Sequence, residues 1–211
     1  MKYSCGAGLC NRLRVALSYL EYARSLGEEL VFTWPINDAC NEAFDLHFEP
    51  IDGLKITQEL DRDHGWQDRH GVFPHPDHHP NYDLIKPKYE IDLIRTPYNA
   101  VHIRSSEHWE ENRKNPSEFI RFIKESKLPV WLATDLRQTQ VLVSSHGSVH
   151  TFATIEESDR IEELYRHTNL KHSVVDLFMC VKAQNFLGTK YSSFSETINC
   201  MRNQQGPLVN G

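Results

Sequence analysis

The segment His102-Ile103-Arg104-Ser105-Ser106-Glu107 sets an imidazole, a guanidinium and a carboxylate close together at the end of an apolar run. A guanidinium presents a planar fork to phosphate oxygens and can neutralise the charge that collects on a departing diphosphate. The competing use for Arg104 is a salt bridge with Glu107 or Glu110. A second group, Gly6-Ala7-Gly8-Leu9-Cys10-Asn11-Arg12, places two glycines just ahead of a helical pattern. Glycine lets the backbone approach a ligand, and a helix start offers N–H donors without intrahelical partners. The loop therefore suits an anion or a sugar, or else a plain tight turn. It is not a G-x-G-x-x-G fingerprint, because Asn11 stands where the third glycine would be. A third group runs from Asp176 through Phe186-Leu187-Gly188-Thr189 to Lys190-Tyr191-Ser192-Ser193-Phe194-Ser195-Glu196. Hydroxyls crowded at a helix start form a phosphate cradle or an N-cap, and Ser193 with Glu196 has capping-box spacing, which gives Ser193 a purely structural alternative.

These groups need elements to position them. Leu13, Ala16, Leu17, Leu20 and Ala23 recur at helical spacing and predict an amphipathic helix over Asn11–Leu26, stopped by Gly27. Glu29–Trp34 is a β-rich apolar run ended by Pro35. The opening thus reads strand, glycine turn, helix, strand: a βαβ unit with a parallel, buried pair. From Asp61 to Pro87 the composition turns to His, Asp, Pro and Gly without apolar periodicity, as in an extended loop or interdomain segment. The alternation then restarts with strands at 99–104 and 129–134 around a helix at 116–125. Helices follow at 137–144, 159–166 and 174–185, then a strand at 186–189 and a closing helix at 195–202. Such alternation defines an α/β protein and predicts two small Rossmann-like domains facing a cleft. The first spans 1–95 and carries the His-rich loop 61–87; the second spans 96–211. His102 and Arg104 would then emerge at the carboxyl end of a parallel sheet, where ligands of open α/β folds bind.

Composition narrows the function classes. The 211 residues are 39% hydrophobic, 25% charged and 10% aromatic, an ordinary globular mixture able to bury roughly 70% of the unfolded chain's surface. The net charge of −6 has the wrong sign for affinity built on many nucleic-acid phosphates, so any phosphate must be held locally. No run approaches the ~20 apolar residues of a membrane span. Cys5, Cys10, Cys40, Cys180 and Cys200 are odd in number and lack a C-x-x-C pair, which points to a reducing, cytoplasmic compartment. The start, Met1-Lys2-Tyr3-Ser4-Cys5-Gly6, lacks the apolar stretch of a signal peptide.

Taken in order, the segments resemble the fucosyltransferase superfamily that includes the peptide O-fucosyltransferases, the α1,6-fucosyltransferases and the bacterial nodulation fucosyltransferases. The glycine turn with Asn11-Arg12 resembles that superfamily's first loop, and His102-x-Arg104-x-x-Glu107 its His-x-Arg-x-x-Asp motif, with Glu in place of Asp. Leu132-Ala133-Thr134-Asp135 resembles its Ala-Thr-Asp strand end. Asp176, followed by Phe186-Leu187-Gly188-Thr189 and Ser192-Ser193-Phe194, resembles its last donor-binding motif. The resemblance implies a GT-B-like fold and inverting transfer of fucose from GDP-fucose to a glycan or other hydroxyl acceptor, with no obligatory metal. It further implies that Arg104 binds the β-phosphate and His102 helps hold the nucleotide. Asp176 with Ser192 or Ser193 would contact the nucleotide or its phosphates, and Asn11 would lie near the transferred sugar. Gly8, Arg12, Asp135 and Thr189 complete the implied donor site. The acceptor hydroxyl also needs a base; Glu107, Asp38, Asp45 and Glu196 are candidates that no spacing separates, and Glu107 is preferred.

Other features are set against this reading. Asp61-Arg62-Asp63 is formally a D-x-D that could hold a metal and diphosphate in a metal-dependent transferase, but it lacks a preceding hydrophobic strand and reads as a solvated turn. His64, His70, His75, His78 and His79 lie among Asp63, Asp68 and Asp77, a composition able to bind zinc; without Cys or helical H-x-x-x-H spacing it reads as an exposed loop. If ordered, that loop would line an acceptor entrance or act as a lid. Ser144, Ser145, His146 and His150 lack a nucleophile elbow, so a hydrolase is disfavoured. Trp131 reads as core and Trp109 as a sugar-stacking candidate. A non-catalytic nucleotide-sugar or glycan-binding module is the alternative from another functional class.

Overall fold

The computed structural model describes residues 1–58, 73–104, 116–155 and 168–205. The chain divides into two compact units, Met1–Tyr89 and Glu90–Gly211, a few residues before the boundary expected from sequence. Each contains its own parallel sheet.

In the first unit, β1 (Lys2–Ser4), β2 (Leu30–Thr33) and β3 (Leu54–Thr57) lie in the order β1-β2-β3. Tyr3 is paired with Phe32 and Phe32 with Ile56. Helix α1 (Leu9–Ser25) joins β1 to β2, which makes the expected βαβ unit. Its buried Leu13, Ala16, Leu17, Leu20 and Ala23 form the predicted stripe, and Leu9, two residues before the expected start, is buried with them. The helix ends because Gly27 takes a left-handed φ of 71°, with its N–H on the Arg24 carbonyl and the Glu28 N–H on that of Ala23.

The opposite side of α1 is partly covered too, and this corrects the exposed-loop reading at His75 and His78. The His75 N–H donates to Ser18 Oγ at 2.9 Å, and the His75 ring stacks on Tyr22 at 4.2 Å and meets Tyr19 edge-on at 5.3 Å. Tyr82 and Ile85 are buried, and Pro87 pairs with Phe48. His75 and His78 therefore pack on α1, because two tyrosines one helical turn apart offer ring faces that imidazoles cover, while Phe73, Asp77 and His79 are exposed. Asp61, Asp63, His64, Trp66 and His70 lie outside the described residues.

The second unit contains β4 (Asn99–Ile103), α2 (Ser117–Glu125), β5 (Val130–Thr134), α3 (Arg137–Ser144), β6 (Val149–His150), α4 (Leu170–Lys182), β7 (Phe186–Gly188) and α5 (Ser193–Gln204). The strands lie in the order β6-β5-β4-β7, all parallel. Val101, Ile103, Val130 and Leu132 project to one face, where they pack with Phe119 and Ile123 of α2 and Val143 of α3. Ala100, His102, Trp131 and Ala133 alternate to the other face. Helix α4 packs against β4, β5 and α5 and is buried along most of its length, with His172 and Asp176 among its buried residues. It begins at Leu170 because Asn169 caps it, accepting the His172 N–H at 2.8 Å. At its far end, Arg202 of α5 donates to the carbonyls of Cys180, Val181, Ala183 and Gln184. The helix expected at 159–166 lies outside the described residues. None of the five cysteines is in a disulfide, and no described helix is long and apolar enough to cross a membrane.

Candidate functional site

From β4 the chain moves outward through β5 to β6, then returns to place β7 on the other side of β4. The loops after β4 and β7 leave the sheet at the point where strand order reverses, the usual ligand site of an open parallel sheet. His102 is paired with Gly188 at this edge, so both loops start at the same level.

A tight hydrogen-bonded knot fixes them. The Thr189 N–H and hydroxyl both donate to the His102 carbonyl, at 3.0 and 2.9 Å. The Thr189 hydroxyl oxygen in turn accepts the Arg104 N–H at 2.9 Å, and the Thr134 hydroxyl donates to the Ile103 carbonyl at 3.0 Å. The Arg104 side chain, 13% exposed, places its guanidinium 2.8 Å from Asp135 Oδ2. The pairing is thus with Asp135 of the Ala-Thr-Asp strand end. Glu107 and Glu110, its competing partners in sequence, lie outside the described residues, as does Trp109.

His102 points to the opposite face of the sheet from Ile103. Its Nδ1 lies 2.7 Å from Ser195 Oγ, and its ring lies 4.6 Å from that of Phe194. Burial pushes its pKa down to about 3; Asp135 opposes the shift and Arg104 adds to it. The imidazole is therefore neutral, and it ties β4 to α5 rather than offering a second positive charge. Close packing makes the tie possible: a Cβ on Gly188 would fall 2.6 Å from Ser195 Oγ and 2.9 Å from the Phe186 ring. Helix α5 starts one residue earlier than its capping-box pattern predicts. Ser192, not Ser193, is the N-cap, its side chain makes no cap bond, and Glu196 falls one position too late for a capping box. The first-turn amides of α5, which have no partner within the helix, stand beside the ends of β7 and β4.

Asp176 is placed differently from a residue that reaches out to a ligand. It is 4% exposed, it accepts the Trp131 indole N–H at 3.0 Å through Oδ1, and its Oδ2 lies 3.6 Å from His172 Nε2. Burial raises its pKa well above the ordinary carboxylate value, and the Trp131 hydrogen bond only partly opposes this. In the first unit, Gly8 is the N-cap of α1 with an extended backbone, and Asn11 Oδ1 accepts from Arg14 at 3.0 Å. Arg12 is fully buried. Its guanidinium donates to the carbonyls of Ala7, Gly6 and Pro35 and to Asn37 Oδ1, and it lies 5.0 Å from the Trp34 ring centroid. It braces the glycine turn from within. Neither Gly6 nor Gly8 needs a left-handed backbone, so the turn does not depend on glycine conformation.

The structure thus brings together His102, Arg104, Asp135, Thr189, Ser192 and Ser193, all in the second unit. Sequence reasoning missed Thr134, Gly188 and Ser195 as parts of the knot. The usable signal was Gly188 itself, a glycine at a strand end facing a serine-rich helix start.

No protein-family model matches the sequence, and no curated protein does. The α/β fold of parallel sheets and helices is, however, similar to that of fucosyltransferase structures. Among solved structures, the fucosyltransferase NodZ from Bradyrhizobium matches with a TM-score of 0.61 at 15% identity, over 95% of this chain and 92% of that one. NodZ α-1,6-fucosyltransferase soaked with GDP-fucose matches at 0.60 and 17% identity, and the form co-crystallised with GDP at 0.61 and 16%; each match covers 95% of this chain and 91% of the other.

Proposed function

We propose that this protein is a glycosyltransferase that moves L-fucose from GDP-fucose to a hydroxyl of a glycan or other acceptor, with inversion at the sugar carbon. The observation that carries this is Arg104: a guanidinium oriented by Asp135, on backbone locked by Thr189, at the switch point of a parallel sheet whose β7 leads into α5. Fold likeness to NodZ structures determined with GDP-fucose and GDP supports the choice of donor.

In the reaction, the bond from the sugar carbon to the diphosphate oxygen breaks as the acceptor oxygen bonds to the opposite face. The electron pair leaves with GDP, and positive charge develops on the sugar ring. Arg104 and the α5 amides meet the charge collecting on the diphosphate, the task for which fixed donors are most effective. Arg104 can supply this neutralisation without a metal, so transfer is expected to persist with a chelator present. The acceptor proton passes to a base, for which the motif resemblance nominates Glu107. Neutral His102 holds α5 in register, so Ser192 and Ser193 keep their places near the phosphates. Asp176 acts from beneath the sheet through Trp131.

The test is transfer of labelled fucose from GDP-fucose, with GDP affinity measured in parallel. Arg104→Ala should abolish transfer and weaken GDP binding by roughly tenfold or more, while Arg104→Lys, which keeps the charge but loses the fork, recovers part of the affinity. Unchanged turnover in Arg104→Ala would remove the mechanism. Tight GDP binding without transfer to any acceptor would instead mark a binding module.

A further inference from the structure

Between Thr189 and Ser192 the chain runs from the end of β7 to the start of α5, and both ends of this link are fixed. Thr189 is 2% exposed and bonded to both His102 and Arg104, while Ser192 is 4% exposed and caps α5. Tyr191, between them, is 78% exposed and adopts φ 60°, the one non-glycine left-handed backbone among the described residues. For a bulky side chain that conformation costs about 1–2 kcal/mol, which glycine would avoid. The ring has no stacking or hydrogen-bonding partner within the described residues. An aromatic ring kept in water on a strained backbone, two residues after the Thr189 that holds the Arg104 N–H, is unfavourable twice over in the free protein. A ligand that covers the ring would offset both.

We infer that Tyr191 is the stacking platform for the nucleobase of the donor, and so a residue that sets preference for a nucleoside diphosphate over diphosphate alone. This rests on the donor-site reading above. Arg104 and the α5 amides account for the phosphates but offer nothing to a flat aromatic ring. The exposed aromatic ring just ahead of α5 supplies that face, and stacking tolerates different bases because each has a π surface. A nucleobase is the preferred occupant over the sugar because it alone is planar and aromatic.

Calorimetric titration of the intact protein with GDP, GDP-fucose and inorganic pyrophosphate tests the idea in wild type, Tyr191→Phe, Tyr191→Gly and Arg104→Ala. Tyr191→Gly should bind GDP and GDP-fucose roughly tenfold more weakly, leave pyrophosphate binding unchanged and melt at or above the wild-type temperature, because backbone strain is relieved. Tyr191→Phe should bind like wild type. Equal GDP affinity in Tyr191→Gly, or a loss confined to GDP-fucose, overturns the platform while leaving the donor site standing. If Arg104→Ala binds all three ligands as wild type does, or wild type binds none, the donor-site reading fails and the platform falls with it.

Discussion

His102 shows how a buried polar residue at the end of an inner strand can tie that strand to a helix, here through Ser195 of α5. The folded chain keeps its pKa at about 3, whereas the unfolded chain takes the proton near 6.5. Protons bound only by the unfolded state oppose folding, so the contribution of His102 is complete above about 6.5 and is lost as pH falls through the window toward 3. Asp176 has the opposite sign. Burial raises it above its ordinary 3.8, so its contribution is complete below that value and declines as pH rises through the folded value. The two oppose each other in mildly acidic solution and must be separated by substitution. Urea midpoints measured from pH 4 to pH 8 should fall less on acidification in His102→Asn than in wild type. In Asp176→Asn, which keeps an acceptor for Trp131, the alkaline decline should shrink. A His102→Asn protein with the wild-type acid slope would mean that the imidazole takes up its proton inside the fold.

At the scale of elements, the site depends on how close α5 lies to β7. Gly188 permits that approach, since a Cβ there would overlap Ser195 and the Phe186 ring. Gly188→Ala should destabilise the protein by about 1–3 kcal/mol through overpacking and pull Ser195 from His102, lowering GDP affinity as well. Gly27→Ala is the control: nothing lies within 4 Å of the added Cβ, and the loss of about 1 kcal/mol reflects only its positive φ, with GDP affinity intact. Denaturant titrations and GDP affinities that move equally in both variants would dismiss the packing argument. The same elements show what a sequence can display. The stripe on α1 and the alternation around β4, β5 and α3 are periodic, and they were read within a few residues of their true bounds. Strands β3 and β6 are not in the sequence reading; Leu54–Thr57 carries only two aliphatic residues among polar ones, and Val149–His150 is only two residues long. Residue type brought His102, Arg104, Asp135 and Thr189 to one place but misjudged Arg12, because the carbonyls that satisfy a guanidinium leave no mark in sequence. The same blindness put His75 in solvent, though its tyrosine partners lie more than fifty residues away.

For the whole molecule, two sheets with separate cores mean that each unit's unfolding can be addressed by its own substitution. Arg12→Met removes the guanidinium donors to the Ala7 and Pro35 carbonyls in the first unit, and Asp176→Ala leaves the Trp131 N–H unmet in the second; each should cost about 1–3 kcal/mol. A ligand held by one unit stabilises that unit by mass action, about 2.7 kcal/mol at one hundred times its dissociation constant. The residues assigned to the diphosphate, Arg104, Ser192 and Ser193, all belong to the second unit. In scanning calorimetry, GDP at that excess should raise the transition that Asp176→Ala lowers and leave in place the one that Arg12→Met lowers. Were GDP to raise the Arg12-sensitive transition alone, the nucleotide would be bound by the first unit, and the phosphate role given to Arg104 would be wrong. A single transition lowered alike by both substitutions would show that the two cores unfold as one cooperative block.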